Sequence, residues 1–231
     1  MFSAAVRYPL SSPATRDSLA AGSALVLAAL VLVRVGRALW PDALALPAFV
    51  LAAVPAVLFA GLVGRVIDPG DDGPPRLGLG TVPFRSGIAV LVATVVYLVG
   101  PVAVLLVTVV GLQGAADEGI GQVAVAVAGT SAMILTLGMG YALPAALAVT
   151  SREGLRSGLA VRSLPGLRSG AYFAAWAGAS VLALLGWAGL GVGGRGTALA
   201  ALGAVWFAYA HLAAARLVRE GMVRATGQKS Q

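Results

Sequence analysis

Apolar residues in this chain fall into long runs separated by short polar stretches, and the hydrophobic excess is spread along these runs rather than gathered into one dense core. Six runs can be drawn: Leu19 to Leu39, Ala43 to Val66, Gly87 to Val110, Gln122 to Val149, Ala171 to Leu190 and Thr197 to Ala215. An α-helix needs roughly 20 such residues to cross the hydrocarbon core of a bilayer, and each run meets that length. The pattern predicts an all-α protein, a polytopic transmembrane helical bundle of six spans forming a single integral membrane domain over residues 1–231. No stretch between the runs is long enough for a separate soluble domain.

The first run is the weakest, because Arg34 and Arg37 interrupt its end. Both side chains can snorkel to the interface, and two arginines directly after the apolar part are unlike a signal peptide, even with Ala43-Leu44-Ala45 as a small-residue cleavage site. Composition agrees: 59% of residues are hydrophobic, only 11% are charged, and mean hydropathy is +0.92. Net charge is +7. In a membrane chain that surplus reads as topology rather than as nucleic-acid binding, since no basic stretch is interleaved with aromatic residues. Arg7, Arg16, Arg65, Arg76, Arg85, Arg152, Arg156, Arg162, Arg168, Arg216, Arg219, Arg224 and Lys229 fall on one side, against Arg34, Arg37 and Arg195 on the other. The positive-inside rule then puts both termini in the cytoplasm, with the chain in the cell membrane.

Residues that carry chemistry are scarce. Cys is absent and His occurs once, which leaves no disulfide framework and no Cys/His zinc site. All nine acids lie at span ends or outside the spans, so carboxylate-coupled ion transport is disfavoured. The acidic turn Asp68-Pro69-Gly70-Asp71-Asp72-Gly73-Pro74-Pro75 lacks the calcium-loop spacing and its closing Glu. No phosphate loop, nucleophile elbow or metal-ligand spacing is present, and neither a cofactor nor enzymatic activity is expected.

Two sets of residues remain as candidates. Between Thr150 and Pro165, Arg152, Arg156 and Arg162 interleave with Leu155, Leu159 and Leu164, a basic amphipathic pattern followed by Arg168. Such a helix can lie in the headgroup plane, where it meets anionic lipid or a partner protein. Pro47, Pro55, Pro101 and Pro144 punctuate the spans. With Tyr97, Tyr141 and His211 they are the groups from which an uncharged pathway would be built, although kinks without a pathway are commoner. For His211, next to Trp206, Phe207 and Tyr209, a structural role is the expectation. A further expectation is three helical hairpins repeated in parallel. It rests on Pro13 to Ser18, Pro83 to Gly87 and Pro165 to Gly170, each a proline stop, an arginine and then a residue able to cap the next helix.

The ordered features resemble an uncharacterised family of polytopic membrane proteins of halophilic archaea, classed as a domain of unknown function. The residues that carry the resemblance are Tyr8-Pro9, Gly64-Arg65, the Gly70 to Pro75 turn, Pro144-Ala145-Ala146-Leu147, Arg152-Glu153-Gly154, Ser169-Gly170-Ala171-Tyr172 with Trp176, and Ala215-Arg216. The chain departs from the family after Pro75, where an apolar, glycine-rich stretch replaces an acidic, aromatic one. The resemblance implies a helical integral membrane domain and supplies no activity. The expected function is that of a non-enzymatic structural or accessory membrane component, in contact with anionic headgroups on the cytoplasmic side and with a membrane protein partner or a second copy of itself. The alternative is a small-solute permease or channel.

Overall fold

The computed structural model describes residues 1–70, 84–111, 119–192 and 197–227. In chain order the helices are α1 (Phe2–Arg7), α2 (Pro13–Ala38), α3 (Ala45–Ile67), α4 (Phe84–Gly111), α5 (Gly119–Glu153), α6 (Leu155–Gly158), α7 (Gly170–Val192) and α8 (Thr197–Ala225). Six of them, α2 to α5, α7 and α8, are long and apolar enough to span a membrane, and the described residues contain no strand. The expected all-α polytopic bundle is what the chain forms. Arg76, Asp117, Glu118, Arg195, Lys229 and the Asp71 to Pro75 part of the acidic turn lie outside the described residues.

The helices run further than the apolar runs at the end where the arginines gather, called here the basic end. α8 continues ten residues past Ala215, because Arg216 and Glu220 pair at 3.2 Å along the helix and satisfy each other one turn apart. α2 begins at Pro13 rather than Leu19. Ser12 caps it, accepting from the Thr15 amide while the Thr15 hydroxyl accepts from the Ser12 amide. Pro13 therefore starts this helix instead of stopping the chain before it, and Asp17 and Ser18 sit inside the helix rather than at its cap. At α7 the expected cap holds: the Ser169 hydroxyl accepts from the Ala171 amide at 3.2 Å. Pro47 is the third residue of α3, where an amide has no partner within the helix, so it marks a start and not a kink.

α8 is the central helix. In its most apolar 18-residue window 56% of residues are buried, against 6% for α5. Consecutive helices pair as α2 with α3, α4 with α5 and α7 with α8, and α8 also packs on α2 and α3. The three hairpins expected from the sequence are thus present as pairs, but they are not equivalent in burial: α7–α8 lies at the centre and α4–α5 at the flank, packed on the rest mainly through α3. Lipid tails are as apolar as leucine, so helices in a membrane adhere through close packing, and small residues permit it. Gly221 of α8 lies on Ala175 of α7, and Gly186 of α7 lies against Ala210 and His211 of α8, at a register in which any added methyl collides or nearly so. Gly87 of α4 brings that helix onto the backbone of α3, where a methyl group would overlap the Val57 carbonyl. α1 and the 3-10 turn Tyr8–Leu10 fold back onto α8, with the Tyr209 hydroxyl donating to the Val6 carbonyl and the Arg216 guanidinium 5.2 Å above the Tyr8 ring.

Hydroxyls inside the spans mostly serve their own helices. Those of Ser18, Ser23, Thr94, Thr108 and Thr136 donate to carbonyls four residues earlier, so they enter the bilayer without an unpaired donor.

Replacing Gly87 by Ala should lower the melting temperature of the detergent-solubilised protein, at a cost of about 1–3 kcal/mol for overpacking. The same change at Gly129, which has nothing within 4 Å of the added methyl, should not lower it. Equal melting of the two variants would refute the close α3–α4 contact.

Candidate functional site

The most connected polar arrangement in the described residues surrounds Pro144, inside α5. Proline has no amide hydrogen, so the Gly140 carbonyl four residues earlier loses its helical partner. The Trp176 indole of α7 donates to that carbonyl at 3.0 Å. One residue on, a hydroxyl from α7 bridges the Ala145 amide and the Tyr141 carbonyl. The phenol of Tyr172 accepts from the Ala145 amide at 3.2 Å and donates to the Tyr141 carbonyl at 2.8 Å. Tyr172 and Trp176 are four residues apart on α7 and so share one face of it. Tyr141 completes the cluster: its hydroxyl donates to the Leu167 carbonyl at 2.7 Å, and its ring meets those of Tyr172 and Trp176 edge to face, with centroids 5.1 and 5.2 Å away. The proline site in α5 is therefore bridged by α7 at two consecutive backbone carbonyls, those of Gly140 and Tyr141.

The chain after α5 turns back along it. Gly154 adopts a φ of +94°, a left-handed conformation that glycine reaches without strain, and it directs the single turn α6 against the last turns of α5. Gly158 packs so closely on Thr150 and the Ala146 carbonyl that no side chain would fit. The Tyr97 hydroxyl of α4 donates to the Gly158 carbonyl at 3.0 Å and fixes this return. The Thr150 hydroxyl, pressed under Gly158, is buried without a hydrogen-bond partner.

The residues between Thr150 and Arg168 do not form one amphipathic helix. Arg152 lies in the last turn of α5, Arg156 lies in α6, Arg162 lies in a 3-10 turn over Val161–Ser163, and Arg168 lies in the turn before α7. All four are exposed, as are Leu159 and Val161, whereas Leu164 is buried in the core. The structure thus gathers the four candidate arginines on one connection at the basic end, with apolar side chains among them.

The candidate pathway residues are placed differently. Tyr97 and Tyr141 spend their hydroxyls on backbone carbonyls. His211 places Nδ1 2.9 Å from the Phe207 carbonyl of its own helix and stacks against Phe207, with Phe59 and Trp187 nearby. Pro101 is buried in α4. None of these residues lines the cleft of about 420 Å³ at the basic end, whose walls are Pro69, Ala148, Val149, Arg152, Glu153, Pro165, Met222 and Thr226. The sequence pointed to Pro144 and Tyr141 but not to their engagement with Tyr172 and Trp176. The signal for it was the missing amide of Pro144, which obliges some donor on another helix to reach Gly140.

Six apolar helices with their polar groups turned inward onto backbone define the class, a polytopic α-helical membrane protein. Residues 47–192, α3 through α7, match the family described as "Protein of unknown function (DUF4013)", and the chain belongs to that family. The matched stretch contains Pro144, Tyr141, Tyr172 and Trp176, while α2 and the central α8 lie outside it. No curated protein matches the chain significantly, and neither does any solved structure.

Trp176→Phe should cost about 1–3 kcal/mol in the wild-type background, because it strands the Gly140 carbonyl. In a Pro144→Ala background the new amide serves that carbonyl, and the same change should cost less than half as much. A double-mutant cycle on thermal unfolding measures this, and an additive outcome would sink the proposed role of the indole.

Proposed function

We propose that this chain is a non-catalytic structural or accessory component of the cell membrane, oriented with both termini in the cytoplasm, and that its cytoplasmic arginines rest on anionic lipid headgroups. One observation carries the reading. Inside the bundle Tyr97, Tyr141, Tyr172, Trp176 and His211 are all occupied in bonding helix to backbone, while Arg156, Arg162 and Arg168 stand exposed beside Leu159 and Val161. Cations beside apolar side chains suit the boundary between headgroups and acyl chains, where each Lys or Arg adds about 1 kcal/mol of attraction to an anionic surface. The excess of arginine at this end supports the cytoplasmic orientation.

The triple variant Arg156→Gln, Arg162→Gln, Arg168→Gln should retain less phosphatidylglycerol than wild type in native mass spectrometry of gently extracted protein, and the difference should shrink as salt rises. Equal retention at low and high salt would remove the headgroup contact. A second protein in stoichiometric amount would support the accessory role. Solute flux through liposomes containing the purified chain alone would overturn that role in favour of a permease.

A further inference from the structure

The cleft at the basic end has a charge arrangement that the exposed arginines do not share. Arg152 and Glu153 both line it and pair with each other at 3.0 Å, with side chains 54% and 47% exposed. An ion pair so open to solvent contributes about 1 kcal/mol at most, so a ligand that engages both groups displaces it at little cost. Three helix carboxyl ends also meet here. Glu153 is the last residue of α5, Thr226 directly follows α8, and Pro69 lies two residues beyond α3. Such ends carry partial negative charge and favour a cation. The Arg152 stem is held beside the turn at Gly70, whose amide donates to the Asp68 carboxylate at 2.8 Å.

A simple anion entering the cleft would meet the Glu153 carboxylate and the three carboxyl ends, and a simple cation would leave the Arg152 guanidinium facing it. A zwitterion satisfies both: its anionic oxygens accept from the guanidinium, and its ammonium donates to Glu153 among the helix ends. Val149, Met222 and Pro165 offer apolar wall to the carbons between, and about 420 Å³ is ample for a small ligand. We propose that this cleft binds a small zwitterion bearing an ammonium and an anionic oxygen group. At a bilayer surface that chemistry is a phosphoethanolamine headgroup, and in solution it is free phosphoethanolamine or an amino-acid-like solute. The site is independent of the anionic-lipid contact, which concerns Arg156, Arg162 and Arg168.

The test uses the full chain in phosphatidylcholine nanodiscs, probed with short-chain phosphatidylethanolamine and phosphatidylglycerol and read by native mass spectrometry. Wild type retains phosphatidylethanolamine, and with Arg156, Arg162 and Arg168 all changed to Gln, which removes the anionic-lipid contact, the chain retains it in preference to phosphatidylglycerol. Arg152→Gln and Glu153→Gln each reduce that retention by about tenfold, the loss of one charge-assisted hydrogen bond, while Arg156→Gln leaves it unchanged. Unaltered melting temperatures show that these surface variants fold. Displacement of the lipid by free phosphoethanolamine identifies the soluble zwitterion as a ligand in its own right, and retention that resists displacement yet depends on both charges identifies the lipid. Equal or greater retention of phosphatidylglycerol by the chain lacking Arg156, Arg162 and Arg168, or phosphatidylethanolamine held as well by Arg152→Gln and Glu153→Gln as by wild type, overturns the proposal.

Discussion

A backbone carbonyl in the hydrocarbon core has no water to accept from, so every interruption of a spanning helix must be repaired by the protein itself. Pro144 creates such an interruption, and its repair by the Trp176 indole and the Tyr172 hydroxyl ties α5 to α7 at a fixed height and rotation. Much else follows from that tie. With α7 docked there, Tyr141 reaches the Leu167 carbonyl in the connection that precedes α7, and the chain between α5 and α7 is confined to the basic end. The arginines of that connection are presented where they are because its two ends are pinned.

The other organising force is close approach. α7 and α8 approach closely at Gly186, Gly189 and Gly221, and α8 also packs on α2 and α3, with Ala208 beside Gly22. α4 and α5 depend on fewer attachments: Gly87 against α3, and the α7 clamp. The outward halves of both helices present valine, leucine and isoleucine to the lipid. The basic end is consequently built where hydrogen bonds fix the backbone, and the opposite half of the α4–α5 hairpin is held chiefly by its own two helices.

Much of the fold is legible in the sequence, because apolar length is a direct reading of membrane thickness and needs no tertiary information. The six spans follow from it. Helix ends are less legible. Hydropathy falls at Arg216, but the helix does not end there, since Arg216 and Glu220 neutralise each other one turn apart and backbone bonding continues to Ala225. Thr150 to Pro165 reads as one amphipathic helix, yet Gly154 and the tight fit of Gly158 fold it back on α5. The four arginines are visible as a group in the sequence, whereas the pairing of Arg152 with Glu153 inside a cleft is not.

The sequence by itself determined that this chain is a bundle of six apolar helices with a basic end, because hydrophobic length and arginine placement act locally, residue by residue. Only the tertiary structure decided that α8 is central, that a tyrosine hydroxyl and an indole complete the backbone of α5, and that Arg152 and Glu153 face one cleft with three helix ends. Each of these depends on which groups from distant parts of the chain come within hydrogen-bonding or van der Waals distance, and such forces act only over a few ångströms.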